Sequence, residues 1–229
     1  MKVVILAGGL GSRLSEYTKV IPKPMIKVLK VPIIVRIIKL YTKFGFKNFI
    51  IASGYKGKII KEYFKKNLTN LNIRVIDTGK NSLTGGRIKR LKNILDKERF
   101  LLTYGDGLCD VNIKKLINFH VKNKNFVTLT AVRPPARFGG IKISRSKVKY
   151  FKEKSSLDEG WINGGFIVME HEIFRFLKND QTILERSPLE NICKLNKLGA
   201  FKHYKFWRCM DTIRDKENLE ALIKKKIFS

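Results

Sequence analysis

Residues 2–13 read Lys2–Val3–Val4–Ile5–Leu6–Ala7–Gly8–Gly9–Leu10–Gly11–Ser12–Arg13, and Pro22–Lys23–Pro24–Met25 follows soon after. The apolar run has the length and composition of a buried strand, and it feeds directly into glycines, as a tight loop at a strand's carboxyl end requires. Glycines let a backbone approach an anion closely, so that N–H groups can face phosphate oxygens. Arg13 and Lys23 add positive charge from two places, the pattern a nucleoside triphosphate needs. The loop is neither a P-loop, because no Gly-Lys-Ser/Thr follows, nor the dinucleotide fingerprint, whose glycines are spaced G-x-G-x-x-G.

Strand and helix patterns alternate outward from this loop, which predicts an α/β fold with a mixed, mostly parallel sheet flanked by helices. Ile33–Phe44 has helical apolar spacing and stops at Gly45. Further strands are expected at Asn48–Ala52, Ile73–Ile76, Phe100–Tyr104, Phe126–Val132, Trp161–Met169 and Ala200–Tyr204, with a hairpin over Ile141–Ser144 and Val148–Phe151. Helices are expected at Lys58–Phe64, at Arg87–Leu95 after Gly85–Gly86, at Ile113–Val121 capped by Asn112, and in short pieces near Ile173–Leu177 and Leu189–Leu195. Thr212–Ile213–Arg214–Asp215 has the form of a capping box, opening a last helix that runs to about Lys225. No repeat or Pro/Ser-rich linker interrupts the chain. One continuous domain over residues 1–229 is expected, with a nucleotide-binding part over about 1–135 and a sugar-phosphate part over about 136–229.

The 229 residues are 44% hydrophobic, enough for a sizeable core. No window approaches the roughly 18 consecutive apolar residues of a membrane-spanning helix, so no stable membrane insertion is expected. The first residues form a core strand without a small-residue cleavage site, which points to the cytoplasm. Cys109, Cys193 and Cys209 are too few and scattered for a disulfide framework, and His120, His171 and His203 show no zinc spacing with them. The six read as packing or surface residues. The formal net charge of +29 invites a nucleic-acid reading. The basic residues, however, are mostly lysines spread through every segment, as over Lys56–Lys66 and Lys142–Lys154, whereas a dedicated binder concentrates charge on one face among stacking aromatics. No nucleic-acid partner is expected, although the field attracts anionic substrates.

Ligands of open α/β sheets gather at the carboxyl ends of strands. The Gly8–Arg13 loop, Arg87, Asp106 and Asp211 fall there or close by. Arg87 lies near a predicted helix N-terminus and shares a helix face with Arg90, a placement suited to an anion. Asp106 sits between Gly105 and Gly107 after an apolar strand. A carboxylate there is poorly placed for packing and well placed for Mg²⁺, which takes one or two protein carboxylates and completes its shell with phosphate and water. Asp211 is a candidate second ligand at another strand-to-helix junction.

Together these segments resemble the sugar-phosphate nucleotidyltransferases over nearly the whole chain. The resemblance rests on ILAGGLGSRLSEYT, PKPM, GYKGKIIKEYF, DTGKNSLTGGRIKR, FLLTYGDGLCDVNI, LTAVRPPARFGG, Glu153–Lys154, GWINGGF and MDTIRD. TGGRIKR, YGDGLCDV and GWINGGF point to the cytidylyl branch. The resemblance implies the Rossmann-like fold of nucleotide-diphospho-sugar transferases, with CTP and glucose 1-phosphate as substrates, Mg²⁺ as cofactor and a homo-oligomer as the assembly. Another nucleotide (UTP, dTTP or GTP) or another sugar 1-phosphate would use the same chemistry. Leu6, Ala7, Gly8, Gly9, Gly11, Ser12, Arg13, Lys23, Gly105 and Asp106 would bind the nucleotide. Arg13, Lys23 and Arg87 would stabilise charge during transfer. Asp106 and Asp211 would hold the metal, and Glu153, Lys154, Trp161, Asn163 and Gly164 would serve the sugar phosphate. Among the departures from the family, Ser12 replaces the usual Thr and keeps its hydroxyl, Ile21 removes one positive charge, and the chain is about twenty residues shorter between Phe64 and Val75.

Overall fold

A computed structural model describes residues 1–67, 70–95, 97–135, 140–152 and 160–225. Along the chain the elements are β1 (Val3–Ala7), α1 (Ser15–Thr18), β2 (Lys27–Val28), β3 (Val31–Pro32), α2 (Ile33–Thr42), β4 (Asn48–Ser53), α3 (Gly57–Lys66) and β5 (Asn72–Asp77). Next come α4 (Thr84–Lys89), α5 (Lys92–Leu95), β6 (Phe100–Tyr104), β7 (Gly107–Cys109), α6 (Ile113–Lys122), β8 (Val127–Val132), β9 (Gly140–Ser144) and β10 (Lys147–Lys152). The last are β11 (Ile162–Met169), α7 (Ser187–Lys194), β12 (Leu198–His203), β13 (Trp207–Cys209) and α8 (Ile213–Lys224).

Seven strands form one sheet in the order β12-β8-β11-β6-β1-β4-β5. β6, β1, β4 and β5 are mutually parallel, as are β12 and β8, while β11 runs antiparallel to β6 and β8. The sheet is therefore mixed and mostly parallel, as the alternating pattern predicts. Both of its faces are covered, and this is why β1 is an unbroken apolar run rather than an alternating one. Val3, Ile5 and Ala7 pack on one side with Ile34, Ile37 and Tyr41 of α2, and Val4 and Leu6 pack on the other with Ile88, Leu91 and Ile167. Full burial of one such aliphatic side chain contributes about 1.5–3 kcal/mol, so the central strands are the firmest support for the loops that leave them.

Two expected helices take different forms. The basic segment at 87–95 is two short helices, α4 and α5, and α4 already starts at Thr84, so Gly85 and Gly86 lie inside it. The break follows from a tightened turn in which Leu91 N donates to Ile88 O at 2.9 Å, three residues back. The piece near Ile173–Leu177 is a 3₁₀ turn over His171–Arg175. The hairpin turns as expected, through Arg145 and Ser146 with φ of 52° and 53°, the left-handed pair of a two-residue connection. A three-residue ribbon pairs β7 with β13 in antiparallel fashion and goes unannounced by any sequence pattern. Among the described residues, no helix is long and apolar enough to cross a membrane.

Candidate active site

The carboxyl ends of β1 and β6 and the start of β11 open onto a cleft with two chambers. The smaller, about 330 Å³, is walled by Leu6, Ala7, Gly8, Gly9, Gly11, Ser12, Arg13, Lys23, Gly105 and Asp106, together with Ser82–Thr84 and Arg87. The larger, about 1140 Å³, is lined by Asn163, Gly164, Trp207, Cys209, Asp211, Thr212 and Asp215, among others. Arg13, Tyr104 and Asp106 border both. Every residue expected to bind the nucleotide thus lies on one wall.

The glycine loop has its own local logic. Gly11 sits at φ 66°, and a Cβ there would come within 2.8 Å of the Thr18 side chain and 3.1 Å of Lys23 Cβ. The bend brings Lys23 beneath the loop, where Thr18 Oγ1 donates to Gly11 O at 3.2 Å and Leu14 N donates to the same oxygen at 2.9 Å. Lys23 Nζ then donates to Asp106 Oδ2 at 2.6 Å and to Asp211 Oδ1 at 2.8 Å. Arg13 Nη2 reaches Asp211 Oδ1 at 3.0 Å from a side chain that is 68% exposed. Met210 N donates to Asp106 O at 2.9 Å, which ties the two acidic segments together through their backbones. The Thr212–Asp215 capping box is present with both of its hydrogen bonds and fixes the turn that presents Asp211.

Charges in this knot tune one another. Burial pulls the Lys23 ammonium down, but Asp106 first and then Asp211 more than offset it, so its pKa lies above the ordinary 10.5. Burial pushes the Asp211 carboxyl up, yet Lys23 and Arg13 hold it below the ordinary 3.8. Cys209 lies 3.6 Å from Asp211 Oδ2, and burial followed by that carboxylate pushes its thiol up to about 12. Two carboxylates converging on one cationic centre form an all-oxygen donor pair of the kind Mg²⁺ accepts.

Arg87 borders the smaller chamber, as its sequence position predicts, and its guanidinium is committed to the neighbouring backbone. Its side chain is buried, and it donates through Nη1 to Ser53 O (3.1 Å), Thr78 Oγ1 (3.0 Å) and Gly79 O (2.7 Å). Through Nη2 it donates to Gly8 O (2.8 Å) and Lys80 O (3.3 Å). The guanidinium borders the smaller chamber but ties together the loops after β1, β4 and β5. A Cβ on Gly8 would lie 2.0 Å from Arg87 Nη1, so the glycine is needed for that tie. Arg90 does not share the site, because it forms a bidentate pair with the exposed Asp180.

On the sugar-phosphate side, Asn163 and Gly164 line the larger chamber. Asn163 Oδ1 accepts from Gly165 N at 2.9 Å, and Gly164 O accepts from Trp207 Nε1 at 2.8 Å. Trp161 stands beside the cleft rather than in its lining, edge-on to Tyr204 with Arg133 and Lys202 over its ring. Glu153 and Lys154 lie outside the described residues. Tyr104 and Glu185 were not expected. The Tyr104 hydroxyl donates to Glu185 Oε1, and Thr84 Oγ1 donates to Glu185 Oε2 at 2.7 Å, so a carboxylate joins the two chambers. The position of Tyr104 directly before Gly105–Asp106 was a usable signal; Glu185, in an irregular segment far along the chain, offered none.

The sequence profile described as Nucleotidyl transferase matches residues 2–208. The glucose-1-phosphate cytidylyltransferase of Salmonella typhi is 44% identical over 98% of this chain and 96% of its own. A D-glycero-alpha-D-manno-heptose 1-phosphate guanylyltransferase of Campylobacter jejuni is 32% identical over 86% of each chain. Among solved structures, a UDP-glucose pyrophosphorylase complexed with UDP-glucose superposes with a TM-score of 0.78 over 98% of both chains, and at 17% identity it bears on the fold alone.

Proposed function

The chain belongs to the nucleotidyl transferase family, and from that premise we propose that it joins CTP and glucose 1-phosphate to form CDP-glucose and pyrophosphate. The observation that carries this reading is the knot of Lys23, Asp106, Asp211 and Arg13 where the two chambers meet, within a chain 44% identical to a glucose-1-phosphate cytidylyltransferase. The chain is a nucleotidyltransferase, and nothing in its relatives supports the nucleic-acid alternative.

The nucleotide occupies the smaller chamber, with its phosphates against Gly8–Arg13, and the sugar phosphate occupies the larger one beside Asn163 and Gly164. A phosphate oxygen of the sugar attacks the α-phosphorus in line. A new P–O bond forms there as the bond to the β-phosphate bridging oxygen breaks, and pyrophosphate leaves with that electron pair. No protein nucleophile is required. The chain's work is alignment and charge neutralisation at the shared wall, where Arg13 and Lys23 face the triphosphate. Mg²⁺ held by Asp106 and Asp211 would neutralise phosphate charge and help to orient the triphosphate. The elevated Lys23 pKa keeps its ammonium charged throughout the neutral range.

Pyrophosphate release tests the reading directly. The protein is incubated with Mg²⁺, one of CTP, UTP, GTP, ATP or dTTP, and a panel of sugar 1-phosphates. Release is expected with CTP and glucose 1-phosphate and is expected to stop on chelation. Release with only another nucleotide overturns the cytidylyl assignment.

A further inference from the structure

Outside the cleft, one cluster of side chains has the chemistry of a different ligand. Cys109 closes β7, Asp110 follows it, and His203 closes β12. Their ligand atoms all lie within 4.8 Å of one another, with Cys109 and His203 buried and Asp110 exposed. His203 Nε2 is 2.8 Å from Asp110 Oδ1 and 3.2 Å from Phe206 O. Asp110 N also donates to Phe206 O at 3.2 Å, so the backbone already brings the end of β7 against the turn between β12 and β13.

We propose that Cys109, Asp110 and His203 form a zinc site, separate from the magnesium carboxylates and serving as a brace for the β7–β13 ribbon. A thiolate, an imidazole and a carboxylate are the ligands Zn²⁺ takes, at bond lengths that put tetrahedral neighbours about 3.3–3.8 Å apart. The observed triangle is within about 1 Å of that, and the exposed Asp110 carboxylate can turn to make the difference. The Val111 backbone favours a thiolate at Cys109, while the Asp110 carboxylate opposes one until a metal neutralises both charges. Burial pushes the free thiol up to about 12, so binding forms a Zn–S bond and releases the thiol proton to solvent. His203 would ligate through Nε2 after losing the Nε2–H that now faces Phe206 O and shifting to its Nδ1–H tautomer, and water completes the shell.

The site would matter because of what the ribbon carries. Cys109 pairs with Trp207 and Gly107 pairs with Cys209. Asp106 directly precedes the ribbon's first strand, and Asp211 follows its second by two residues. A metal at the Cys109 end therefore grips the ribbon about 7 Å from the end that presents both acids. The proposal stands apart from the reaction assigned above, because its test reads metal, spectrum and stability rather than turnover.

The test uses the full-length protein stripped with a chelator and titrated with Co²⁺. One Co²⁺ per chain with a near-ultraviolet thiolate charge-transfer band, displaced by Zn²⁺, is expected. Cys109→Ala and His203→Gln should each abolish the band, and Cys209→Ala, which removes the thiol beside Asp211, should leave it. Zn²⁺ at about a hundredfold excess over its Kd should raise Tm by roughly 5–10 °C, and this rise should be lost in either cluster variant. No band up to about 1 mM Co²⁺ overturns the proposal. So does a band lost with Cys209 instead of Cys109, or a Tm rise that survives His203→Gln.

Discussion

Two cationic regions border the smaller chamber, and they hold their charge in opposite ways. The Arg87 guanidinium donates to five oxygens, all of them neutral: four main-chain carbonyls and one hydroxyl, drawn from three separate loops. Lys23 and Arg13 donate to the carboxylates of Asp106 and Asp211. Carbonyls of a folded backbone cannot leave, so the first cation is locked into the scaffold. Carboxylates can exchange a cation for a metal, and a cation can exchange a carboxylate for a phosphate. Under the proposed function, the difference separates a region that shapes the glycine loop from a region that would meet the phosphates.

The largest effect should come from the exchangeable side. Lys23→Ala or Asp106→Ala is expected to lower turnover by about 10²–10³-fold, roughly 3–4 kcal/mol, while circular dichroism and cooperative unfolding show an intact fold. Near-normal rates in either variant would move that residue to the scaffold side and dissolve the contrast.

Arg87→Ala should act through the other route. It empties a buried site and strips five acceptors of a charged donor, so a stability loss of about 3 kcal/mol is expected, or roughly 6–12 °C in Tm. Arg87→Lys should not restore it, because one ammonium cannot span the loops that a guanidinium fork joins. Unfolding in denaturant reads the effect. A large fall in turnover at unchanged Tm would return Arg87 to the phosphate-binding role its sequence position suggests.

That ambiguity marks how far the sequence could be read. The β1 run, the glycines after it, the capping box at Thr212 and the acid placed between Gly105 and Gly107 are local signals, and each depends on neighbours a few residues away. They place the loop, Lys23, Asp106 and Asp211 correctly on the cleft. The job of Arg87 depends on Gly8, Ser53 and Thr78–Lys80, which tertiary packing assembles from separate segments. The β7–β13 ribbon is too short for any periodicity to show. Glu185 enters the cleft from an irregular stretch, and the Cys109–Asp110–His203 cluster unites positions about ninety residues apart that no ligand spacing would connect.

The smallest effect, in acid, sharpens the same comparison. Asp211 is held below its ordinary 3.8 because Lys23 and Arg13 outweigh the burial that would raise it. A carboxyl whose folded pKa is depressed contributes stability that is fully present above its unfolded value and lost as pH falls through the folded one. Asp211→Asn should therefore be less stable than the parent at neutral pH, and the gap should close below about pH 3.8. Arg87 donates only to uncharged oxygens and feels Asp77 at longer range, so the stability gap between Arg87→Ala and the parent should change less over the same pH range. Thermal unfolding of both variants beside the parent from pH 7 downward reads the two curves together. A gap for Asp211→Asn that does not depend on pH would mean that the carboxylate is held by the fold, as the carbonyls around Arg87 are, and not by the cations across the cleft.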